Sequence, residues 1–220
     1  MNVNRDLVVL DVDGVVLDFY KGAARVLEEM LGRPMVKVDP RPATKYRYGL
    51  TDEEYQRMRV VMRTHEHGWV NLPTLPGAVE AIHRMKTAGK TVAFLSSCGQ
   101  SLFDLRRENL DRLGLSDCAL MCVEDADKNA KGVVLEKLRP GVFMDDHMKM
   151  LAQATCVPER VWIDHGCSLE TNSEGVPFID LHPVQRVASV DEWVNGLFSR
   201  SHPDYSSYRS AEISRRKMAY

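Results

Sequence analysis

The sequence predicts an α/β fold, a parallel sheet with helices on both faces and a small α-helical insertion. Three observations carry that expectation. Five short apolar runs rich in β-branched residues read as buried strands: 7–12, 91–96, 119–123, 141–146 and 160–164. Helical patterns lie between them at 77–89, 102–114 and 132–138, and alternation of this kind implies right-handed βαβ units. The stretch from about 19 to 74 breaks the alternation, because it carries helical patterns and no strand signal.

Each element follows from local chemistry. LVVLDV (7–12) is an apolar run broken near its end by Asp11 and Asp13, with Gly14 directly after. The insertion reads as a helix (AARVLEEMLG), a proline-rich connector (RPMVKVDPRPAT) and a long helix (TDEEYQRMRVVMRTHE). Thr51 and Glu54, three residues apart, form a capping box for that last helix. The expected division is a Rossmann-like core over 1–18 and 75–198, a helical cap over 19–74, and a polar tail over 199–220.

Composition narrows the classes of function. At 220 residues, with 44% hydrophobic and 27% charged, the chain can bury one core plus a modest insertion. A formal net charge of −2 gives no general attraction for a nucleic-acid polymer. Five cysteines without regular spacing make no disulfide framework and point to a reducing compartment. MNVNRD has no signal-peptide core, and no segment approaches the roughly 18 apolar residues of a membrane span. A cytoplasmic protein with no membrane partner is the expectation.

In open parallel sheets, ligands bind beyond the carboxyl ends of the strands. Sorting polar residues by that rule collects Asp11, Asp13 and Gly14 from the first strand, and Ser96 and Ser97 from the second. The fourth strand adds Asp145 and Asp146, and Lys131 stands just before a helix expected to start at Gly132. Four carboxylates on one edge repel one another unless a cation sits among them. An oxygen-only donor set of this kind suits Mg²⁺, which keeps several waters and accepts a phosphate.

The order DVDGVV, strand-end serine, lysine and strand-end DD resembles the haloacid dehalogenase superfamily of phosphohydrolases, over residues 11 to 150. The resemblance implies Asp11 as the nucleophile at phosphorus and Asp13 as general acid and base. It implies Ser96 on the phosphoryl oxygens and Lys131 neutralising charge, with Lys128 the alternative lysine. Mg²⁺ would be held by Asp11, the Asp13 carbonyl, Asp145 and Asp146, with either of the last two as the direct ligand. Physical chemistry asks for the same parts, since a carboxylate attacking a phosphate dianion needs positive charge to screen the repulsion. Gly14 lets the backbone approach the phosphate closely.

An insertion between the first aspartates and Ser96 resembles the C1 class of caps. GWVNLPTLPGAVEAIHRMKTAGKTVAFLSS and DGVVLDFY are similar to the 5′(3′)-deoxyribonucleotidase branch, which carries DGVLADFE at the second place. That similarity implies Phe19 stacking on a nucleobase. Tyr46, Tyr48 and Trp69 are further aromatic candidates, for which cap core is the preferred reading over ligand contact, and Gly14 and Ser97 stand on the substrate side. The sequence departs from the branch after Ser96, where SSCGQ puts Gln100 in place of a cation. The expected partner is a small phosphorylated metabolite, such as a (deoxy)nucleoside monophosphate, and at most a second copy of this chain.

Other motifs lead nowhere comparable. AGKTVAF contains Gly-Lys-Thr, but a P-loop would need glycine where Arg84 stands. His65-Glu66-His67 puts its histidines two apart, which no helical face shares. Cys98 beside Ser96 reads as a small strand-end residue in preference to a reactive thiol, and Met58 and Met62 as core in preference to a cofactor contact. A receiver-like module would place its phosphorylated aspartate on a later strand, and a non-catalytic phosphate binder would not need all four motifs.

Overall fold

The computed structural model describes residues 2–64, 68–124, 129–167 and 183–200. Among these residues six parallel strands form one sheet in the order β3-β2-β1-β4-β5-β6. They are β1 (Asn4–Leu10), β2 (Thr91–Ser96), β3 (Ala119–Cys122), β4 (Pro140–Asp145), β5 (Glu159–Ile163) and β6 (Gln185–Val187). Val8, Val9 and Leu10 of β1 pair with Val92, Ala93 and Phe94 on one side and with Val142, Phe143 and Met144 on the other. β1 and β4 therefore sit centrally, and the order reverses beside β1, which is where α/β sheets open a ligand crevice.

Alternation along the strands feeds two cores. Val8, Leu10, Phe94 and Met144 face one side, where Ala81, Ile82 and Met85 of α4 (Ala78–Thr87) pack. Leu110 of α5 (Phe103–Arg112) and Trp193 and Val194 of α8 (Val190–Arg200) complete that layer. Leu7, Val9, Leu95 and Phe143 face the other side, against Leu135 of α6 (Ala130–Leu138) and Met148 and Leu151 of α7 (Met148–Gln153). Both faces of the sheet are covered, as its apolar strands require.

The insertion comprises α1 (Phe19–Leu31), the single turn α2 (Thr44–Arg47), α3 (Asp52–Val61) and a 3₁₀ turn at Trp69–Asn71. Asp18 caps α1 by accepting from the Lys21 backbone N–H at 2.9 Å. The capping box at Thr51 and Glu54 is present in both directions, at 3.1 and 2.9 Å. The chain leaves and re-enters the core side by side. Asp18 N donates to Pro73 O, and Leu75 N to Val16 O, each at 2.8 Å. Tyr48, Leu50, Met58 and Met62 are buried in the same apolar cluster as the sheet, so the insertion packs directly on the core.

Boundaries differ from the sequence reading at several places. β1 stops at Leu10, because the Val12 carbonyl turns to accept from the Val16 and Leu17 N–H groups, both at 2.9 Å. Asp11 and Asp13 therefore lie on a tight turn beyond the strand. α6 begins at Ala130 rather than Gly132, which places Lys131 inside the first helical turn. α7 and β6 carried no sequence signal, being short. α8 continues to Arg200, past the expected start of the tail. Residues 201–220, His65-Glu66-His67 and the alternative Lys128 lie outside the described residues.

Candidate active site

The turn after β1 brings the acids together. Gly14 adopts φ +76° and donates its N–H to Leu17 O at 2.8 Å. A Cβ built at Gly14 would stand 2.2 Å from Asp146 Oδ2, so only glycine lets the two strand ends approach this closely. His165 Nε2 reaches the Gly14 carbonyl at 2.6 Å, and Trp162 Nε1 donates to the Asp146 carbonyl at 3.0 Å. Side chains from β5 and the loop after it thus hold both turns from outside.

Lys131 is 2% exposed and bridges the ends of β1 and β4. Its Nζ lies 2.9 Å from Asp11 Oδ1 and 2.7 Å from Asp145 Oδ2. The other Asp145 oxygen accepts from the His147 N–H at 2.8 Å, which fixes the carboxylate fully. One carboxylate oxygen each from Asp11, Asp145 and Asp146 lie within 4.8 Å of one another. Burial raises the Asp11 carboxyl, and Lys131 opposes that. Asp146 is pushed up to about 8, first by burial and then by the neighbouring Asp145 and Asp11 charges. For Lys131, burial favours the neutral amine, but the two carboxylates outweigh it and keep the ammonium charged.

Asp13 has a partner that sequence reasoning missed. Arg106 of α5 is wholly buried and donates to Asp13 Oδ2 at 2.5 Å and to Asn109 Oδ1 at 3.2 Å. Asn109 in turn donates to Val70 O at 2.9 Å. The guanidinium lies 4.8 Å from the Trp69 ring centroid, and Trp69 stacks on Phe19 at 5.3 Å. Oδ1 of Asp13 is buried and has no hydrogen-bond partner among the described residues. Burial raises this carboxyl above the usual range, while Arg106 pulls the other way. The available signal was an arginine on the apolar face of a helix, in step with Leu102, Asn109 and Leu110.

These groups line a cavity of about 630 Å³ between the sheet edge and the insertion. Asp11, Asp13, Gly14, Lys131, Asp145 and Asp146 form its floor, and Phe19 and Trp69 part of its wall. From the insertion come Tyr55, Met58, Arg59, Met62 and Arg63. At the end of β2 the lining residues are Ser97 and Cys98, whereas Ser96 is fully buried within the strand. Tyr48 is buried on the insertion's core side, with its hydroxyl on the Tyr20 carbonyl, and Tyr46 is 45% exposed. Met58 and Met62 are both core and cavity wall. Among the described residues no helix is long and apolar enough to cross a membrane.

No family model and no curated protein matches the chain. Solved structures do. A predicted phosphatase from Clostridium acetobutylicum aligns with a TM-score of 0.58 at 13% identity, covering 90% of this chain and 100% of that one. A HAD family hydrolase from Deinococcus radiodurans R1, solved with bound phosphate and sodium, aligns at 0.56 and 15% identity, over 89% and 96%. A hydrolase from Pseudomonas syringae aligns at 0.54 and 15% identity, over 87% and 97%. The six-stranded parallel sheet with its flanking helices is the fold of HAD-family hydrolases.

Proposed function

We propose that the chain is a Mg²⁺-dependent phosphomonoester hydrolase working through a phosphoryl-aspartate on Asp11. The observation that carries this reading is the charge count among the described residues at the cavity floor and directly beneath it. Asp11, Asp13, Asp145 and Asp146 stand against Lys131 and Arg106, four acids to two cations, and all are at least partly buried. The two formal charges in excess, an Asp146 Oδ1 with no hydrogen-bond partner among the described residues, and the all-oxygen donor set fit a divalent hard cation. Asp11, Asp145 and Asp146 would hold it, with the Asp13 carbonyl. When bound, Mg²⁺ would neutralise phosphoryl charge that Lys131 cannot reach alone.

The protein groups divide the remaining work. The Asp11 carboxylate attacks phosphorus, with Lys131 screening the repulsion between the two anions. Asp13 gives its proton to the departing alkoxide. Arg106 occupies Oδ2, so Oδ1 is the oxygen that carries the proton. Asp13 then takes a proton from the water that cleaves the acyl phosphate, returning Asp11 to a free carboxylate. Ser97 at the cavity wall and the buried Ser96 behind it flank the phosphoryl position.

The insertion acts as a cap that selects the substrate, a small phosphorylated metabolite and, in this reading, a (deoxy)nucleoside monophosphate. Phe19 and Trp69 support that choice, since a base laid on the exposed ring would extend an existing aromatic pair. Phosphate release from p-nitrophenyl phosphate, and from a panel of nucleotides, sugar phosphates and cofactor phosphates, with and without Mg²⁺, tests the proposal. Mg²⁺-dependent release with a preference within the panel is expected. No release from any member overturns it.

A further inference from the structure

Two thiols meet beside the cavity. Cys98 Sγ lies 3.4 Å from Cys122 Sγ, and both residues are partly exposed. Cys98 lines the cavity between Ser97 and Gly99, and Cys122 closes β3. The backbone already fixes the approach. Ser96 pairs with Cys122 in register, Val123 N donates to Ser96 O at 2.9 Å, and Gly99 N donates to Val123 O at 3.0 Å. Glu124 Oε1 accepts from Gln100 N at 3.0 Å and ties down the far side of the loop. No step of the proposed hydrolysis uses either thiol.

The environment separates the two sulfurs chemically. The hydrogen bond with Cys122 holds the Cys98 thiol below the ordinary thiol range, with the Arg106 cation acting in the same direction. The same bond and burial push Cys122 up. One sulfur is therefore suited to attack as a thiolate, and the other keeps its proton until it resolves the product.

From this contact we infer that Cys98 and Cys122 form a redox-sensitive dithiol, oxidised by hydrogen peroxide to a disulfide that reshapes the cavity wall and slows turnover. The Cys98 thiolate attacks one peroxide oxygen. The O–O bond breaks, a sulfenic acid forms at Cys98, and the hydroxide released becomes water by taking a proton. Cys122 then attacks the Cys98 sulfur. The S–S bond forms, the S–O bond breaks, and the departing hydroxide takes the Cys122 proton. Two thiols and one peroxide give one disulfide and two waters. A disulfide sets its sulfurs about 2 Å apart, so closing a 3.4 Å contact draws Cys98, and Ser97 with it, towards β3 by roughly an ångström. The effect on turnover rests on the proposed hydrolase function, but the cross-link does not.

Full-length reduced protein is titrated with stoichiometric hydrogen peroxide, and both mass and p-nitrophenyl phosphate hydrolysis are followed. The expected result is a peptide linking Cys98 to Cys122, with the mass of two hydrogens lost. Turnover should fall at least fivefold in step with it, and dithiothreitol should restore both. Cys122→Ser should keep the activity of the reduced wild type, give no cross-link, and accumulate a dimedone-trappable sulfenic acid at Cys98. Absence of the Cys98–Cys122 peptide while other cysteines oxidise overturns the dithiol, whatever the activity does. A complete cross-link with unchanged turnover overturns the control of the cavity. A protein that hydrolyses nothing even when reduced counts against the hydrolase reading alone, since the mass readout still decides the cross-link.

Discussion

Asp13 shares its carboxylate between two environments, Oδ2 against Arg106 and Oδ1 buried with no partner among the described residues. Asp13→Asn keeps the shape and the Arg106 contact but has no acidic proton to give. It should slow release of poor leaving groups by roughly 10²–10⁴-fold. An activated aryl phosphate should suffer less, and single-turnover kinetics on the two substrates check the difference. Asp11→Asn should abolish turnover in a protein that still folds, because an amide of nearly the same shape is a poor nucleophile. Activity and circular dichroism on one preparation test both halves of that statement. Phe19 has Trp69 stacked on it and also packs against the core cluster, so its two roles must be separated by measurement. If its ring contacts a base, Phe19→Ala should raise KM for a nucleoside monophosphate about 5- to 150-fold, the equivalent of 1–3 kcal/mol of stacking. KM for a small aryl phosphate should barely move. A uniform loss on both substrates with a lowered Tm assigns the ring to packing alone.

At the scale of elements, α5 delivers a cation to Asp13 from beneath the cavity floor, through its buried face. Arg106→Leu removes the charge that opposes the upward shift of Asp13, so the carboxyl should hold its proton to higher pH. The alkaline limb of kcat/KM should move up, and stability should fall by about 3–5 kcal/mol, the usual cost of breaking a buried pair. A pH–rate profile beside a denaturation curve checks the two effects, and Arg106→Lys should restore part of the first. Much of this architecture was legible. Five of the six strands could be placed because each is an apolar run, and β6 could not, because Gln185–Val187 is a three-residue edge with one buried side chain. Asp11, Asp13, Asp145 and Asp146 could be gathered from strand ends, and Lys131 from its place before a helix with Lys128 as the alternative; the structure puts the four acids and Lys131 on one cavity floor. Arg106 could be placed on the apolar face of its helix but not paired, because its partner is 93 residues away. The same holds for Cys98 and Cys122, whose contact depends on the β2–β3 register and not on either sequence neighbourhood.

For the molecule as a whole, the crowding of buried acids should couple stability to pH and, in the proposed reading, to a bound cation. Burial raises Asp146 to about 8 from an unfolded value near 3.8. Between those values the folded chain holds a proton that the unfolded chain has released, so metal-free stability should decline as pH rises through that window. Asp146→Asn has no such proton, and in EDTA its Tm should fall less than that of wild type between pH 5 and 8. Mg²⁺ should act in the opposite direction on the wild-type protein by binding the folded state alone. At 100 times its dissociation constant it adds about 2.7 kcal/mol. For a chain of this size that raises Tm by roughly 5–10 °C, at about 2–4 °C per kcal/mol. The Asp146→Asn variant should lose most of this rise, because one oxygen ligand has become a neutral amide. Melting curves of both proteins at pH 5 and 8, in EDTA and in Mg²⁺, measure the two effects together. An equal Mg²⁺ shift in both proteins would place the cation away from Asp146, and a parallel loss of Tm with pH would assign the titration to another group.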